Sequence, residues 1–145
     1  MKTTHRERLE LTLSGEKPDR LPVALWNHFP VDDQDPITLA NAALAFQENF
    51  DFDLIKVMPP SSYCLKDWGA EDQWCGNPEG TRDYTKRVIN DPEDWRSLTI
   101  LNPGEGHLSQ QIKCLKILQK NSPRQTPFVQ TVFNPLSQAK NLIGP

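Results

Sequence analysis

Residues 21–30 read LPVALWNHFP. Leu21, Val23, Ala24 and Leu25 give the apolar character of a strand covered on both faces, with prolines as punctuation. The stretch turns polar at Trp26, Asn27 and His28, just before the acidic loop Val31-Asp32-Asp33-Gln34-Asp35. A strand that ends in groups able to stack, hydrogen-bond and exchange protons suits a parallel sheet, where functional groups collect at strand C-termini. The first strand is therefore placed at 21–27.

The flanking segments extend that reading. Thr4-His5-Arg6-Glu7 has the form of a capping box and Gly15 is a stop signal, so a helix is expected over 4–14 although Leu9, Leu11 and Leu13 alternate like a strand. Asp35 followed by Pro36 opens a second helix, in which Leu39, Ala42, Ala43, Phe46 and Phe50 recur at helical spacing and predict one buried stripe. Residues 53–58, DLIKVM, form a second apolar strand stopped by Pro59-Pro60. Residues 70–90 flank the turn-rich Gly76-Asn77-Pro78-Glu79-Gly80 and predict a β-hairpin outside the main sheet. Asp91-Pro92 starts a short helix, and Leu108, Ile112, Leu115 and Leu118 mark a longer one over about 105–120. A third strand is expected at 127–133, and Pro135 opens a last helix. Strands alternating with amphipathic helices define an α/β protein with a parallel sheet, its strands joined by right-handed crossovers.

Composition bounds the function. The chain has 145 residues, one domain's length, with 37% hydrophobic and 24% charged residues as in soluble globular proteins. A net charge of −3 gives no electrostatic footprint for nucleic acid or anionic membrane. No apolar run approaches the roughly 18 residues that span a bilayer, and MKTTHRERLE lacks the apolar stretch of a secretory signal. A cytoplasmic protein is expected. Cys64, Cys75 and Cys114 are odd in number and too far apart for a CxxC-type knuckle, so reduced thiols without a metal or disulfide framework are expected.

Four segments in order, RERLELTLSGEKPDRLPVALW, LAFQENFDFDLIKVMP, CLKDWG and TPFVQTVFNPLSQAKNLIG, resemble the uroporphyrinogen decarboxylase family. The resemblance covers nearly all of this chain but only the first part of the family's (β/α)8 barrel. It implies that residues 1–145 form a partial domain, the N-terminal portion of a TIM barrel of about three βα units with an inserted hairpin. The family links to decarboxylation of tetrapyrrole carboxylates in porphyrin biosynthesis. It also contains corrinoid- and coenzyme M-linked methyltransferases, whose zinc site lies in the second half of the barrel. No cofactor or metal ligand set is therefore carried over. The implied partner is a small molecule, tetrapyrrole or corrinoid-linked, and the open sheet edge is a route to self-association.

Where the family's decarboxylases have an arginine-rich segment after strand one, this chain has Trp26-Asn27-His28-Phe29-Pro30 and then three aspartates, which are expected to repel a polyanion. The family's catalytic aspartate after strand two corresponds to about Pro60, leaving Asp67 as the nearest downstream carboxylate. The catalytic candidates are thus His28, as general acid or base or as a loop anchor, and Asp67, which also fits a simple turn with Trp68 and Gly69. Substrate-binding candidates are Trp26, Asn27, Ser61, Ser62 and Asn134. For Trp26 packing competes with stacking, and for the two serines turn chemistry alone is sufficient. Lys56, in an apolar strand, needs a partner, for which Asp53 or a glutamate would serve. Three readings stand: a tetrapyrrole decarboxylase, a methyltransferase relative, and a non-catalytic fragment or interaction piece that completes its sheet with another chain.

Overall fold

A computed structural model describes residues 3–144. Local capping chemistry sets its helices. In α1 (His5–Leu13) the Thr4 hydroxyl accepts from the Glu7 amide at 3.2 Å, and the Glu7 carboxylate accepts from the Thr4 amide at 2.7 Å. The helix ends in a Schellman motif: the Glu16 amide bonds to Leu11 O, the Gly15 amide to Thr12 O, and Gly15 has φ +77°. Capping thus prevails over the strand-like alternation, and Leu13 is left in solvent at 78% exposure. The buried positions of α1 are polar, His5 and Arg8, so ion pairs rather than an apolar stripe dock it.

In α2 (Pro36–Phe50), Asp35 accepts from the Ile37 and Thr38 amides at 2.8 and 3.1 Å. Its buried face is Leu39, Ala40, Ala43, Leu44 and Gln47, rotated from the expected stripe, and Phe50 is exposed.

β1 (Ile55–Val57) pairs in parallel with a strand reached after the hairpin and a third helix. The hairpin is β2 (Glu71–Trp74) and β3 (Arg82–Lys86), antiparallel with a bulge at Glu71/Asp72, and it lies outside the parallel sheet as expected. Helix α3 (Gly106–Asn121) buries Gln111, Cys114 and Leu118, while Ile112, expected inside, faces outward. Then comes β4 (Phe128–Gln130), in register Ile55↔Phe128, Lys56↔Val129 and Val57↔Gln130, followed by α4 (Pro135–Ile143).

The expected strand at 21–27 joins no ladder. It is extended backbone lying beside β1, held by an Asp53 amide bond to Val23 O at 2.8 Å and by the Lys56 ammonium 3.9 Å from the Trp26 ring centroid. Both contacts join residues thirty apart, so the segment runs parallel to β1. The ladder fails for a local reason. Pro22 has no donor, and the Val23 amide is taken by the Asp53 carboxylate at 2.8 Å rather than by a strand carbonyl.

One core unites Leu39, Ala43 and Leu44 of α2, Ile55 and Val57 of β1, and Cys114 and Leu118 of α3. A smaller one, Leu65, Ala70, Ile89 and Leu142, seats the hairpin and α4. Helices α2 and α3 therefore cover one face of β1, that of Ile55 and Val57. The opposite face carries Lys56 and Val129. Among the described residues, no helix is long and apolar enough to cross a membrane.

Candidate functional site

The C-terminal ends of β1 and β4 share one edge of the sheet, because the strands are parallel and in register. The chain leaving β1 turns at Pro60–Ser62, where Ser62 O accepts from the Leu65 and Lys66 amides. Tyr63 then reaches across, its hydroxyl donating to Thr131 O at 3.2 Å and its ring 6.0 Å from that of Phe133. Thr131 donates its hydroxyl to Met58 Sδ at 3.3 Å, and its amide bonds to Val57 O. Burial raises the Tyr63 phenol well above its ordinary range, so it serves as a neutral donor. Neither Tyr63 nor Thr131 stood out in the sequence. For Thr131 the signal was its place directly after a strand; Tyr63, beyond Pro59-Pro60, offered none.

Among the sequence candidates, Ser62 is buried and Ser61 half-buried beside the turn. Asn134 is exposed and caps α4, its Oδ1 accepting from the Leu136 amide at 2.8 Å. Trp26 and Asn27 are exposed at the end of the segment beside β1. His28 is half-buried against the hairpin turn: a Cβ built on Gly80, which has φ +72°, would lie 3.2 Å from its Nδ1, so a larger residue there would crowd the ring. The His28 ring makes no hydrogen bond to a described residue. Asp67 lies elsewhere. Its oxygens accept from the His107 and Leu108 amides at 2.7 and 3.0 Å, which makes it a remote cap of α3.

The acidic loop is not a bare negative mouth. Asp33 pairs with Arg82 Nη1 of β3 at 3.2 Å and also accepts from the Gln34 amide group, while Asp35 is spent on capping α2. The expected repulsion of an anion by three aspartates is thereby reduced, because the fold brings the hairpin's arginine to the loop. Arg82 Nε lies 3.2 Å from Asp72 Oδ2, and Lys66 Nζ lies 3.0 Å from Asp72 Oδ1. These are ion contacts whose angles fall short of directed hydrogen bonds. Burial raises the Asp33 carboxyl, and Gln34 and Arg82 do not fully offset it. Burial also pushes Asp72 upward, but Ser62, Lys66 and Arg82 outweigh it and leave Asp72 below the usual range.

At the opposite end of the sheet, Asp53 receives Arg8 Nη1 and Arg20 Nη1, each at 2.5 Å, and Arg8 also holds Asp19 at 2.7 Å. His5 bridges Thr126 Oγ1 at 2.5 Å and Asp51 Oδ1 at 3.1 Å. In barrel folds this N-terminal face serves stability rather than chemistry. Lys56 has neither proposed acidic partner: Asp53 is committed to the arginines, and the indole of Trp26 covers the ammonium instead. The three cysteines are free, and burial pushes the Cys114 thiol up to about 12.

No protein-family model matches the chain, and no curated protein matches its sequence. Among solved structures it is similar to a methyltransferase from Methanosarcina mazei, with a TM-score of 0.71 at 17% identity. The alignment covers 97% of this chain and 45% of that one, so the chain spans less than half the length of its neighbour. At this identity the likeness shows a shared mixed α/β fold.

Proposed function

We propose that this chain supplies the first βα units of a (β/α)8 barrel belonging to a methyltransferase, of the kind that moves a corrinoid-linked methyl group. The observation that carries this reading is the superposition of nearly the whole chain on a methyltransferase. The arrangement of the chain supports it. Three parallel segments, 21–29, β1 and β4, follow one another across the sheet in sequence order, with α2 and α3 packed on the face of Ile55 and Val57. Leu21, Val23 and Leu25 are exposed at alternate positions, which suits residues that further strands would cover.

In this reading Asn27 and His28 stand at the mouth of the barrel. An imidazole without a hydrogen-bond partner among the described residues would be available to take the proton of an acceptor thiol as its sulfur bonds to the methyl carbon, whose bond to the carrier breaks with the electron pair leaving on the carrier. Ser61 and Asn134, after the next two strands, offer polar groups on the same rim. The methyl carrier supplies the transferable group, and the chain's part is to bind, orient and accept a proton. Decarboxylation of a tetrapyrrole is the weaker reading, because prolines occupy the position after β1 where the family's aspartate would stand.

The test is complementation. The chain is joined to, or co-expressed with, the remaining strands of the neighbour's barrel and assayed with methylcobalamin and a thiol. Corrinoid colour and thioether mass are the readouts, with uroporphyrinogen decarboxylation followed in parallel by chromatography. Methyl transfer by the assembled barrel and none by the isolated chain is expected. In the assembled enzyme, His28→Ala should lower turnover more than it lowers melting temperature. Loss of substrate carboxylates without methyl transfer would overturn the proposal.

A further inference from the structure

The buried and half-buried Lys and Arg side chains among the described residues each meet an oxygen acceptor, with one exception; Arg87, which has no carboxylate, donates to Asn141 O at 2.6 Å and lies over the Tyr84 ring. Arg8 is paired with Asp19 and Asp53, Lys66 with Asp72, and Arg82 with Asp33 and Asp72. Lys56, half-buried at the centre of β1, meets no carboxylate and no hydrogen-bond acceptor among the described residues. Only the π face of Trp26 covers it. The burial pattern of β1 shows where its side chain stands: Ile55 and Val57 are buried against the helices, and Lys56 faces the other way. Trp26 lies on one side of it, 54% exposed, and Val129, its register partner on β4, on the other, 47% exposed. One cation thus sits in a row between two exposed apolar residues on the open face of the sheet.

The surroundings keep that charge available. On the helix side of the same segment a crevice of about 10 Å³ is bounded by Leu25, Trp26, Ala43, Phe46, Ile55 and Lys56, and no acidic residue lines it. It holds no more than a water.

We infer that Trp26, Lys56 and Val129 form a binding site for a small organic oxyanion, a carboxylate or phosphate on an apolar body. The oxyanion pairs with Lys56 Nζ, and the apolar body lies against Trp26 and Val129. Asn27, at the end of the same segment, adds an amide donor at the rim. Within the proposed methyltransferase, on which this placement inside a barrel rests, the site would hold an anionic group of the methyl donor or acceptor.

Benzoate, phenyl phosphate and benzyl alcohol are titrated separately into the isotope-labelled 145-residue chain. The Lys56 ε-methylene and Trp26 indole N–H resonances are followed by NMR. Saturable shifts with benzoate or phenyl phosphate, and none with benzyl alcohol, are expected; the tighter of the two anions identifies the group recognised. Lys56→Met should weaken binding by at least roughly tenfold, the effect of losing one charge-assisted contact, while Lys56→Arg retains it. The amide shifts of Asp53 and Thr131 report whether each variant is folded, and Lys56→Gln stands in if the methionine variant is not. Unchanged affinity in the neutral variants, equal binding of benzyl alcohol, or no saturable shift would overturn the site. Anion binding is read without methyl transfer. Its failure beside intact transfer removes this site alone, and the reverse removes the methyltransferase reading alone.

Discussion

Asp53→Asn tests how the chain holds its sheet together. The Asp53 side chain is 1% exposed and accepts from Arg8, Arg20 and the Val23 amide, so one carboxylate joins α1, the segment at 21–29 and the entrance to β1. The Arg8 side chain is 3% exposed, and the substitution leaves it with Asp19 as its only carboxylate. Removing one member of a buried ion pair costs about 3–5 kcal/mol, and the surviving Asp19 contact places this case near 3. For a domain whose urea slope is about 1.5–2 kcal/mol per molar, that lowers the unfolding midpoint by roughly 1.5–2 M. Arg20→Ala, at a side chain 43% exposed, should cost at most about 1 kcal/mol. Urea unfolding followed by circular dichroism separates the two. Hydrogen exchange should show the Asp53 amide, bonded to Val23 O, losing protection in Asp53→Asn. A midpoint shift no larger than that of Arg20→Ala, or an unchanged Asp53 amide, would refute the assignment of this carboxylate as the joint.

Gly106→Ala should destabilise the chain by more than Gly15→Ala, although both glycines have positive φ, because its Cβ would lie 2.2 Å from Asp67 Oδ1 and displace the α3 cap, whereas nothing lies within 4 Å at Gly15; thermal melts of the two variants decide it. Asp67→Ala should cost about 1 kcal/mol as a lost cap, and if it abolishes turnover in the assembled enzyme without that loss, Asp67 belongs to the chemistry instead. Asp72→Asn should cost more stability near neutral pH than Asp33→Asn, since the fold favours the ionised form of Asp72 and disfavours that of Asp33; equal losses in urea would contradict the opposite directions of their shifts. Arg8 holds the Asp19 carboxyl down at about 2, and although burial pushes Asp53 upward, Arg20, the Val23 amide and Arg8 bring it below the usual range. The stability these two provide is therefore complete above their unfolded values, near 4, and is lost as pH falls toward 2, which acid titration of the folded signal would show.

What could be read in the sequence was local. Thr4 with Glu7, Asp35 with Pro36, and Asp91 with Pro92 announced helix starts because a cap and its target lie within three residues. The hairpin was legible from its central turn. The illegible parts depend on partners far apart in the chain: Arg8 with Asp53, Asp33 with Arg82, and Asp67 with the α3 amides lie 45, 49 and about 40 positions apart. The segment at 21–27 reads as a strand by hydrophobicity, yet its pairing is decided by a side chain thirty residues on that captures the Val23 amide. In α3, Leu108, Ile112, Leu115 and Leu118 fit a helical stripe, but the face that meets α2 is centred on Cys114 and Leu118, so Ile112 falls outside it.

The two ends of the sheet differ in how completely the polar groups named there are used by the fold. At the N-terminal end, Asp53 accepts from two arginines and a backbone amide, and His5 has a partner at each ring nitrogen, so every group named there already serves the fold. At the C-terminal end, Asn134 is spent on a helix cap and Tyr63 on fastening two loops, yet among the described residues the His28 ring has no hydrogen-bond partner, and Lys56, at the centre of β1, meets only an indole. Leaving a half-buried cation without an oxygen acceptor costs stability, and the fold meets Arg8, Lys66 and Arg82 with carboxylates and Arg87 with a backbone carbonyl. His28 and Lys56 are joined by the same segment, 21–30, His28 lying within it and Lys56 beneath its tryptophan. Within the proposed methyltransferase, substrate recognition by this chain is therefore expected to centre on Trp26, His28 and Lys56 rather than on its more numerous carboxylates.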